Sequence, residues 1–276
     1  MNKKKIFFIS DLHFGHANII NLCSRPFSSA DEMNAALISN WNSAVGSSDT
    51  VYIVGDMFFT SQDPVPFLRE LNGEKILITG NHDGACLKKH RAAYDFFSTV
   101  TPYLEINESC HPITLCHYPM LEWNKDRKHG SGKLGYLIYG HIHNNILPEY
   151  KILFMRGNAL NAGADINGFT PVTFRELVRN NEEYRLSVFS SHDDRARFIC
   201  GARCMQLSDA DNVPLTKIIE SLCSEEHDVE KATEFRLACA IRYGGFDIDS
   251  ARRFFGEELS ERALALSKEK LIESER

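Results

Sequence analysis

Five short apolar runs in the first half of the chain each end on a polar cluster. The third run, Lys75–Thr79, leads directly into Gly80-Asn81-His82-Asp83. An apolar run of four to eight residues bounded by polar or turn residues is typical of a buried β-strand. The other four runs are Ile6–Ser10 before Asp11 and His13, Thr50–Val54 before Gly55-Asp56, Ile113–Cys116 before His117, and Tyr136–Tyr139 before Gly140-His141-Ile142-His143.

Helical patterns separate the first three runs. Ser29 and Glu32 have the spacing of a capping box, and the helix that they open carries Met33, Leu37 and Trp41 on one face. Strands that alternate with helices predict a parallel or mixed sheet with helices on its faces. In such sheets, chemistry gathers beyond the carboxyl ends of the strands, which is where the polar clusters fall.

Beyond residue 94 the runs become strand-like with short connections, which predicts a second, more antiparallel sheet. The predicted strands are Phe96–Ile106, Ile113–His117, Leu134–Tyr139 and Ile152–Arg156. We therefore expect an α/β fold in which a two-sheet β-sandwich is flanked by helices. Turns are expected at Asn161–Asp165, a last helix at Thr173–Val178 and a closing strand at Tyr184–Phe189.

The pattern changes again near residue 191, so we divide the chain into a domain of residues 1–190 and a helical C-terminal domain or cap of residues 191–276. Apolar spacing of three and four residues predicts helices at Leu215–Cys223, Val229–Arg242 and Leu259–Ile272. Because short helices need packing partners, we expect this segment to pack on the first domain or to form a homodimer.

Composition limits the function classes. With 43% apolar and 25% charged residues the chain is typical of a soluble globular protein. A net charge of −6 argues against a general nucleic-acid or membrane coating role. The basic start, Met1–Lys5, precedes an apolar run too short for a signal peptide, and no run approaches the length of a membrane span. We expect a cytoplasmic protein with reduced cysteines.

The polar residues at the strand ends form a ligand set for metal ions. The side chains are Asp11, His13, Asp56, Asn81, His117, His141 and His143. Mixed oxygen and imidazole ligands suit Mn²⁺, which we favour, and also Fe, Zn²⁺ or Ni²⁺. Because seven ligands are too many for one ion, the set predicts two divalent ions, with Asp56 as the bridge. Any one of these histidines alone would more often be a core or surface residue.

These ordered blocks resemble the motifs of the calcineurin-like metallophosphoesterase superfamily. The resemblance covers roughly residues 5–165. The segment Asp11-Leu-His-Phe-Gly-His16, with Arg25-Pro-Phe27 and the motif Asn161-x-Gly-x-Asp-x-Asn-Gly168, is similar to the small prokaryotic and phage-type members. It implies a four-layer αββα metallophosphoesterase catalytic domain. It also implies that one ion is held by Asp11, His13 and His143, the other by Asn81, His117 and His141, and both by Asp56.

The same resemblance implies the catalytic roles. His82 would be the general acid or phosphate stabiliser, and Asp83 would orient it. Imidazole titrates near neutral pH, which suits protonation of a leaving alkoxide. We expect hydrolysis of a phosphodiester, nucleotide-like or cyclic-nucleotide-like, by metal-bound hydroxide attack. The alternatives are a metal-dependent nuclease, disfavoured because residues 191–276 are acidic, and a silent partner-binding scaffold.

Weaker candidates surround this set. His16 and Arg25 follow the first strand, and Tyr118 follows His117, so each is a candidate contact for the phosphate or base of a small phosphoester substrate. A solvated loop explains Arg25 equally well. In the C-terminal segment Cys200, Cys204, Cys223 and His227 have a spacing that would allow a zinc site, although buried thiols are the favoured interpretation.

Overall fold

The computed structural model describes residues 4–59, 63–126, 133–146, 150–154, 156–189, 191–204, 228–243 and 246–269. Two compact units divide the chain. The first comprises Met1–Asn124, Tyr136–Ile146 and Ala159–Glu182, and the second comprises Lys125–Gly135, Leu147–Asn158 and Glu183–Arg276. The boundary thus falls after Glu182 rather than at residue 190, and the second unit also takes up two segments from within the range expected for the first domain.

The first sheet holds five strands in the order β4-β3-β2-β1-β9. They are β1 Ile6–Ile9, β2 Thr50–Val54, β3 Glu74–Ile78, β4 Thr99–Thr101 and β9 Val172–Thr173. Strands β1 to β4 are parallel, and β9 is antiparallel to β1. The carboxyl ends of β1, β2 and β3 therefore meet at one edge, as the alternation of strands and helices predicts.

The second sheet holds four strands in the order β5-β6-β7-β8. They are β5 Tyr103–Glu108, β6 His111–Cys116, β7 Tyr136–Tyr139 and β8 Ala159–Asn161. Only β5 and β6 are antiparallel, whereas β6 with β7 and β7 with β8 are parallel. The expectation of a more antiparallel sheet was wrong, because long connections precede β7 and β8 and permit parallel pairing.

Apolar side chains fill the space between the sheets. Phe8, Val54 and Ile78 of the first sheet pack in one cluster with Leu115 and Ile138 of the second. The opposite faces of β1, β2 and β3 pack against helices, which contribute Met33, Leu37, Trp41 and Leu68. The first unit is therefore the expected α/β arrangement of two mixed sheets flanked by helices.

Helices up to residue 188 are α1 Ala17–Leu22, α2 Ala30–Ala44, α3 Val65–Glu70, α4 Asp83–Lys89, α5 Lys151–Phe154 and α6 Phe174–Val188, with 3₁₀ helices at Arg91–Phe96 and Ala164–Ile166. Helix α2 begins as predicted, because the Ser29 hydroxyl accepts a hydrogen bond from the amide of Glu32. The Glu32 carboxylate accepts from the amide and hydroxyl of Ser28.

Three predicted elements were wrong. The predicted strand Ile152–Arg156 is largely helix α5, since a short apolar run has no distinctive period. A turn was expected at Asn161–Asp165, but Asn161 is the last residue of β8. The predicted strand Tyr184–Phe189 continues α6, because its alternating pattern follows helical residues with no stop signal between them.

The second unit contains four described helices beyond residue 190: α7 His192–Cys204, α8 Val229–Arg242, α9 Ile248–Phe255 and α10 Glu257–Lys268. Leu237, Cys239, Phe246 and Phe255 share an apolar cluster there. The predicted helix Val229–Arg242 is confirmed, and Leu215–Cys223 lies outside the described residues. Among the residues that the structure describes, no helix is both long and apolar enough to cross a membrane.

Candidate metal centre

The structure brings all seven predicted ligands together beyond the carboxyl ends of five strands. Ligand atoms of Asp11, His13 and His143 lie within 4.8 Å of one another, and so do those of Asp56, His117 and His141. Oδ1 of Asn81 lies 3.2 Å from Nε2 of His117 and 3.1 Å from Nδ1 of His141. We call Asp11, His13 and His143 the first ligand group and Asn81, His117 and His141 the second ligand group, and we treat Asp56 separately.

Asp56 lies between the two ligand groups. Its Oδ2 is 3.3 Å from Nε2 of His117 and 3.8 Å from Nε2 of His13, which belongs to the first group. Its Oδ1 accepts a hydrogen bond of 2.9 Å from the backbone amide of His82. One carboxylate oxygen therefore faces imidazoles of both groups, as expected of a bridging ligand.

His13 shows that the first ligand group fits a metal ion. Both ring nitrogens are buried, and neither has a hydrogen-bond partner among the residues that the structure describes. Burial, together with the charge of His143, lowers the pKa of His13 to about 2, so the ring is neutral. A buried neutral imidazole without a hydrogen-bond partner is unfavourable unless another group, such as a metal ion, accepts its lone pair. Imidazole is a common metal ligand.

Neighbouring hydrogen bonds orient the other imidazoles. Nδ1 of His117 lies 2.9 Å from the carbonyl oxygen of Val54, which can only accept, so Nδ1 carries the hydrogen and Nε2 faces Asp56 and Asn81. Although burial opposes it, the hydrogen bond to Asp165 raises the pKa of His143 to about 10. Burial raises the pKa of Asp56, but the hydrogen bond and charge of His117 outweigh it and lower that pKa to about 2.

Most of the ligands have a strained backbone. Five of the seven are non-glycine residues with positive φ: Asp11 at 56°, His13 at 54°, Asp56 at 49°, His141 at 71° and His143 at 52°. Such residues are uncommon and each costs about 1–3 kcal/mol, so they persist where the surroundings hold them. Five of the ten described non-glycine residues with positive φ are therefore predicted ligands.

Two motif glycines permit the loops to approach the carboxylates. A Cβ on Gly80 would lie 2.2 Å from Oδ1 of Asp56, and a Cβ on Gly140 would lie 2.5 Å from Oδ2 of Asp11. Both distances are far inside van der Waals contact. The amide that follows Gly140, that of His141, donates to the Asp11 carboxylate at 3.0 Å, which ties the β7 loop to the β1 loop.

Asp83 supports the loops rather than orienting His82, so the expected role was wrong. Its buried carboxylate accepts hydrogen bonds from the backbone amides of Gly80 and Asp56, both at 2.8 Å, and of Met57 at 2.9 Å. Burial raises the pKa of Asp83 to about 6 even though these amides favour the charged form. One carboxylate thereby joins the loops after β2 and β3, which carry Asp56 and Asn81.

Comparison with known proteins agrees with this geometry. The family model described as calcineurin-like phosphoesterase matches residues 4–181, which include every ligand. The chain belongs to the calcineurin-like phosphoesterase family. This phosphoesterase is therefore a hydrolase of phosphoric esters, and residues beyond 181 lie outside the match.

Each of three matches covers most of the length of the relative. The uncharacterized protein MJ1445 of Methanocaldococcus jannaschii is 34% identical over 182 residues, which are 65% of this chain and 92% of that protein. The Gene 66 protein of Mycobacterium phage L5 is 28% identical over 162 residues, 51% of this chain and 78% of that protein. A crystal structure of AQ665 from Aquifex aeolicus, a protein of unknown function, matches with a TM-score of 0.47 and 27% sequence identity. The match covers 64% of this chain and 99% of that chain.

Arg25 does not face a substrate, contrary to expectation. Its side chain is fully buried, and its five N–H groups are directed at acceptors. These acceptors are Oδ1 and Oδ2 of Asp165 at 2.8 and 3.0 Å, the carbonyl oxygens of Leu12 at 3.0 Å and Asp11 at 2.7 Å, and Sδ of Met33 at 3.4 Å. A guanidinium so engaged is structural.

The other predicted contacts lie at the rim. His82 has a 35% exposed side chain, and its Nε2 lies 3.8 Å from Oδ2 of Asp56. His16 stacks on Phe59 with a centroid distance of 3.7 Å, and Tyr118 meets His141 edge-on at 4.9 Å. Their roles in substrate binding stay predictions.

Asp165, which lies in a quoted motif, and Phe59 were given no role in the site from the sequence. Asp165 contacts His143, and Phe59 contacts His82 edge-on at 4.5 Å. Asp165 follows β8, a strand of three residues that is too short for its apolar pattern to be recognised. Phe59 lies three residues beyond Asp56, so a search of the residues after each motif would have found it.

The four residues of the alternative zinc interpretation fall mostly outside the described residues, which exclude Cys223, His227 and the side chain of Cys204. Cys200 is buried in the apolar cluster of the second unit. The zinc interpretation stays a prediction.

The close approach of Gly80 to Asp56 gives a stability prediction. Gly80→Ala should destabilise the protein by about 1–3 kcal/mol, because its Cβ meets a buried carboxylate and backbone. Gly84→Ala is the matched control: it lies in α4, nothing lies within 4 Å of its Cβ, and it should be neutral or stabilising by up to about 1 kcal/mol. Urea unfolding of both variants measures the difference, and equal midpoints would contradict the described approach.

Proposed function

We propose that this phosphoesterase is a metal-dependent phosphodiesterase with two divalent ions, Mn²⁺ foremost, acting on a small diester that carries an aromatic group. Nucleotides and cyclic nucleotides are such compounds. The position of Asp56 carries the proposal: its Oδ2 lies 3.3 Å from Nε2 of His117 and 3.8 Å from Nε2 of His13. A carboxylate between two ligand groups suits the bridge that paired ions about 3.5–4 Å apart require.

Each ligand group would hold one of the two ions. Asp11, His13 and His143 would hold one, Asn81, His117 and His141 the other, and Asp56 both. Bound ions would neutralise charge on the phosphate and activate water for attack at phosphorus. The chain orients the lone pair of the ligand before any ion binds. Nδ1 of His117 donates its hydrogen to the carbonyl oxygen of Val54, which leaves the lone pair of Nε2 for an ion.

His82 supplies the proton for the leaving oxygen. Its backbone amide donates to Asp56 Oδ1 at 2.9 Å, and its side chain is 35% exposed, so the ring is anchored at one end and accessible at the other. A protonated imidazole there donates to the departing alkoxide, which leaves as an alcohol. General acid catalysis of this kind contributes about 10²–10⁴-fold.

The charge around the centre favours a diester over a monoester. Among the described contacts of the ligands, the only side chain with a permanent positive charge is that of Arg25, and all its donors are engaged. A diester carries a single negative charge, which the ions would offset, whereas a monoester dianion carries a second charge, for which a free Arg fork would be a strong partner.

Exposed aromatic rings flank both ligand groups. Phe59 is 39% exposed, beside His82, and His16 covers one face of its ring. Tyr118 is 46% exposed, beside His141 of the second group. Stacking of a base on such a ring is worth about 1–3 kcal/mol. We assign Phe59 to the leaving group, because of its contact with His82, and Tyr118 to the group that stays on the phosphate.

Turnover of bis-p-nitrophenyl phosphate with added Mn²⁺ tests the reaction class. Asp56→Asn should lower kcat/KM by at least about 100-fold, since loss of a group that merely supports a ligand costs 10- to 100-fold. Asp95→Asn, at an exposed position in the 3₁₀ helix Arg91–Phe96, is the control and should match wild type. Absence of turnover would favour a scaffold. Degradation of single-stranded oligonucleotides at a higher kcat/KM would favour a nuclease.

Two chromogenic diesters with the same leaving group test the aromatic assignment: thymidine 5′-(p-nitrophenyl phosphate) and methyl p-nitrophenyl phosphate. Tyr118→Ala should reduce the preference for the thymidine ester about fivefold or more, and Phe59→Ala should raise KM for both esters alike. Tyr94→Ala, which removes another exposed ring, is the control. If neither KM nor the preference changes in the Phe59 and Tyr118 variants, the rings do not bind substrate.

A further inference from the structure

We propose that Asp165, held by Arg25, is a positioning residue that makes the first ligand group the tighter of the two metal sites. This inference rests on the proposed two-ion function. It concerns a residue that follows the last strand of the second sheet and belongs to neither ligand group.

Asp165 connects the predicted ligand His143 with the buried guanidinium of Arg25. Its Oδ2 lies 2.9 Å from Nδ1 of His143, and Arg25 binds both of its oxygens, Nε to Oδ1 at 2.8 Å and Nη2 to Oδ2 at 3.0 Å. The Asp165 side chain is 2% exposed. Since a carboxylate accepts, Nδ1 of His143 carries the hydrogen, and Nε2, which lies 3.8 Å from Oδ1 of Asp11, is left for an ion.

Arg25 fixes Asp165 relative to the other ligands of the same group. Two of its three remaining donors bind the carbonyl oxygens of Asp11 and Leu12, in the backbone that carries Asp11 and His13. Asn161 adds a second constraint, because its Nδ2 donates to the carbonyl oxygen of His143 at 2.8 Å. The ring and the backbone of His143 are therefore both held, and the three ligands of the first group share one supporting network.

The imidazoles of the second ligand group have weaker hydrogen-bond partners. Nδ1 of His117 donates to a neutral carbonyl, that of Val54, at 2.9 Å. Nδ1 of His141 faces the centre itself, 3.1 Å from Oδ1 of Asn81. A carboxylate partner raises the basicity of a ligating imidazole more than a carbonyl does, because the hydrogen bond is charge-assisted. The two ions should therefore bind with different affinities.

A separate metal site at Asp165 is the competing interpretation, since Cys23, His143 and Asp165 also have ligand atoms within 4.8 Å of one another. Both oxygens of Asp165 already bind the Arg25 guanidinium, whose positive charge opposes a cation at the same carboxylate. The geometry therefore favours a supporting role for Asp165.

Calorimetric titration of the metal-free full chain with Mn²⁺, with metal content measured after dialysis, tests the inference. Wild type should bind two ions in two steps, the first tighter. Asp165→Asn should weaken the tighter step about 10- to 100-fold and leave the other within about threefold. If Asp165→Asn does not fold, Arg25→Lys takes its place. A single ammonium cannot reproduce the two hydrogen bonds of the guanidinium to Asp165, so this variant should weaken the same step. Asp95→Asn should match wild type.

The outcomes separate the two proposals. If wild type binds fewer than two ions, the proposed two-ion function fails. If wild type binds two but both steps are unchanged in the folded variant, or both weaken equally, the proposed function stands and the assignment of Asp165 is overturned. Thermal unfolding in chelator, measured in parallel, distinguishes a general loosening of the fold from a change at one site.

Discussion

The burial of two carboxylates at one edge of the fold is the constraint on which the rest of the structure depends. Asp11 is fully buried and Asp56 is 2% exposed. Burial raises the pKa of Asp11, whereas the hydrogen bond and charge of His117 lower that of Asp56 to about 2. A buried ionised carboxylate needs a cation close by. Divalent ions would meet that need, and they would also explain why the buried imidazole of His13 has no hydrogen-bond partner among the described residues.

The backbone is arranged to direct donor atoms at this charge. Positive φ angles at five of the seven ligands would each cost about 1–3 kcal/mol, so a supporting network must hold them. Asp83 supplies part of that network by joining the loops after β2 and β3, and Arg25 supplies another part by joining the β1 loop to Asp165. Stability and metal binding are therefore coupled: a change in the buried network alters the ligand geometry without touching a ligand.

The convergence of the seven predicted ligand residues was predictable because each follows a strand whose apolar residues form a recognisable run, and the carboxyl ends of parallel strands meet at one edge. Asp83 was found, but its role was not, since only the fold shows which amides surround its carboxylate. Arg25 and Asp165 are 140 residues apart, and each alone is an ordinary charged loop residue. Strand β8, with three residues, and the alternating end of α6 carry patterns that are too short or too ambiguous to assign.

The proposed function depends most on the two ligand groups together holding a pair of divalent ions. Anomalous diffraction at the manganese absorption edge, from crystals grown with Mn²⁺, tests it directly. We expect two peaks about 3.5–4 Å apart, one beside His13 and His143, one beside His117 and His141, with Asp56 contacting both. A single peak, or peaks that Asp56 does not join, would contradict it.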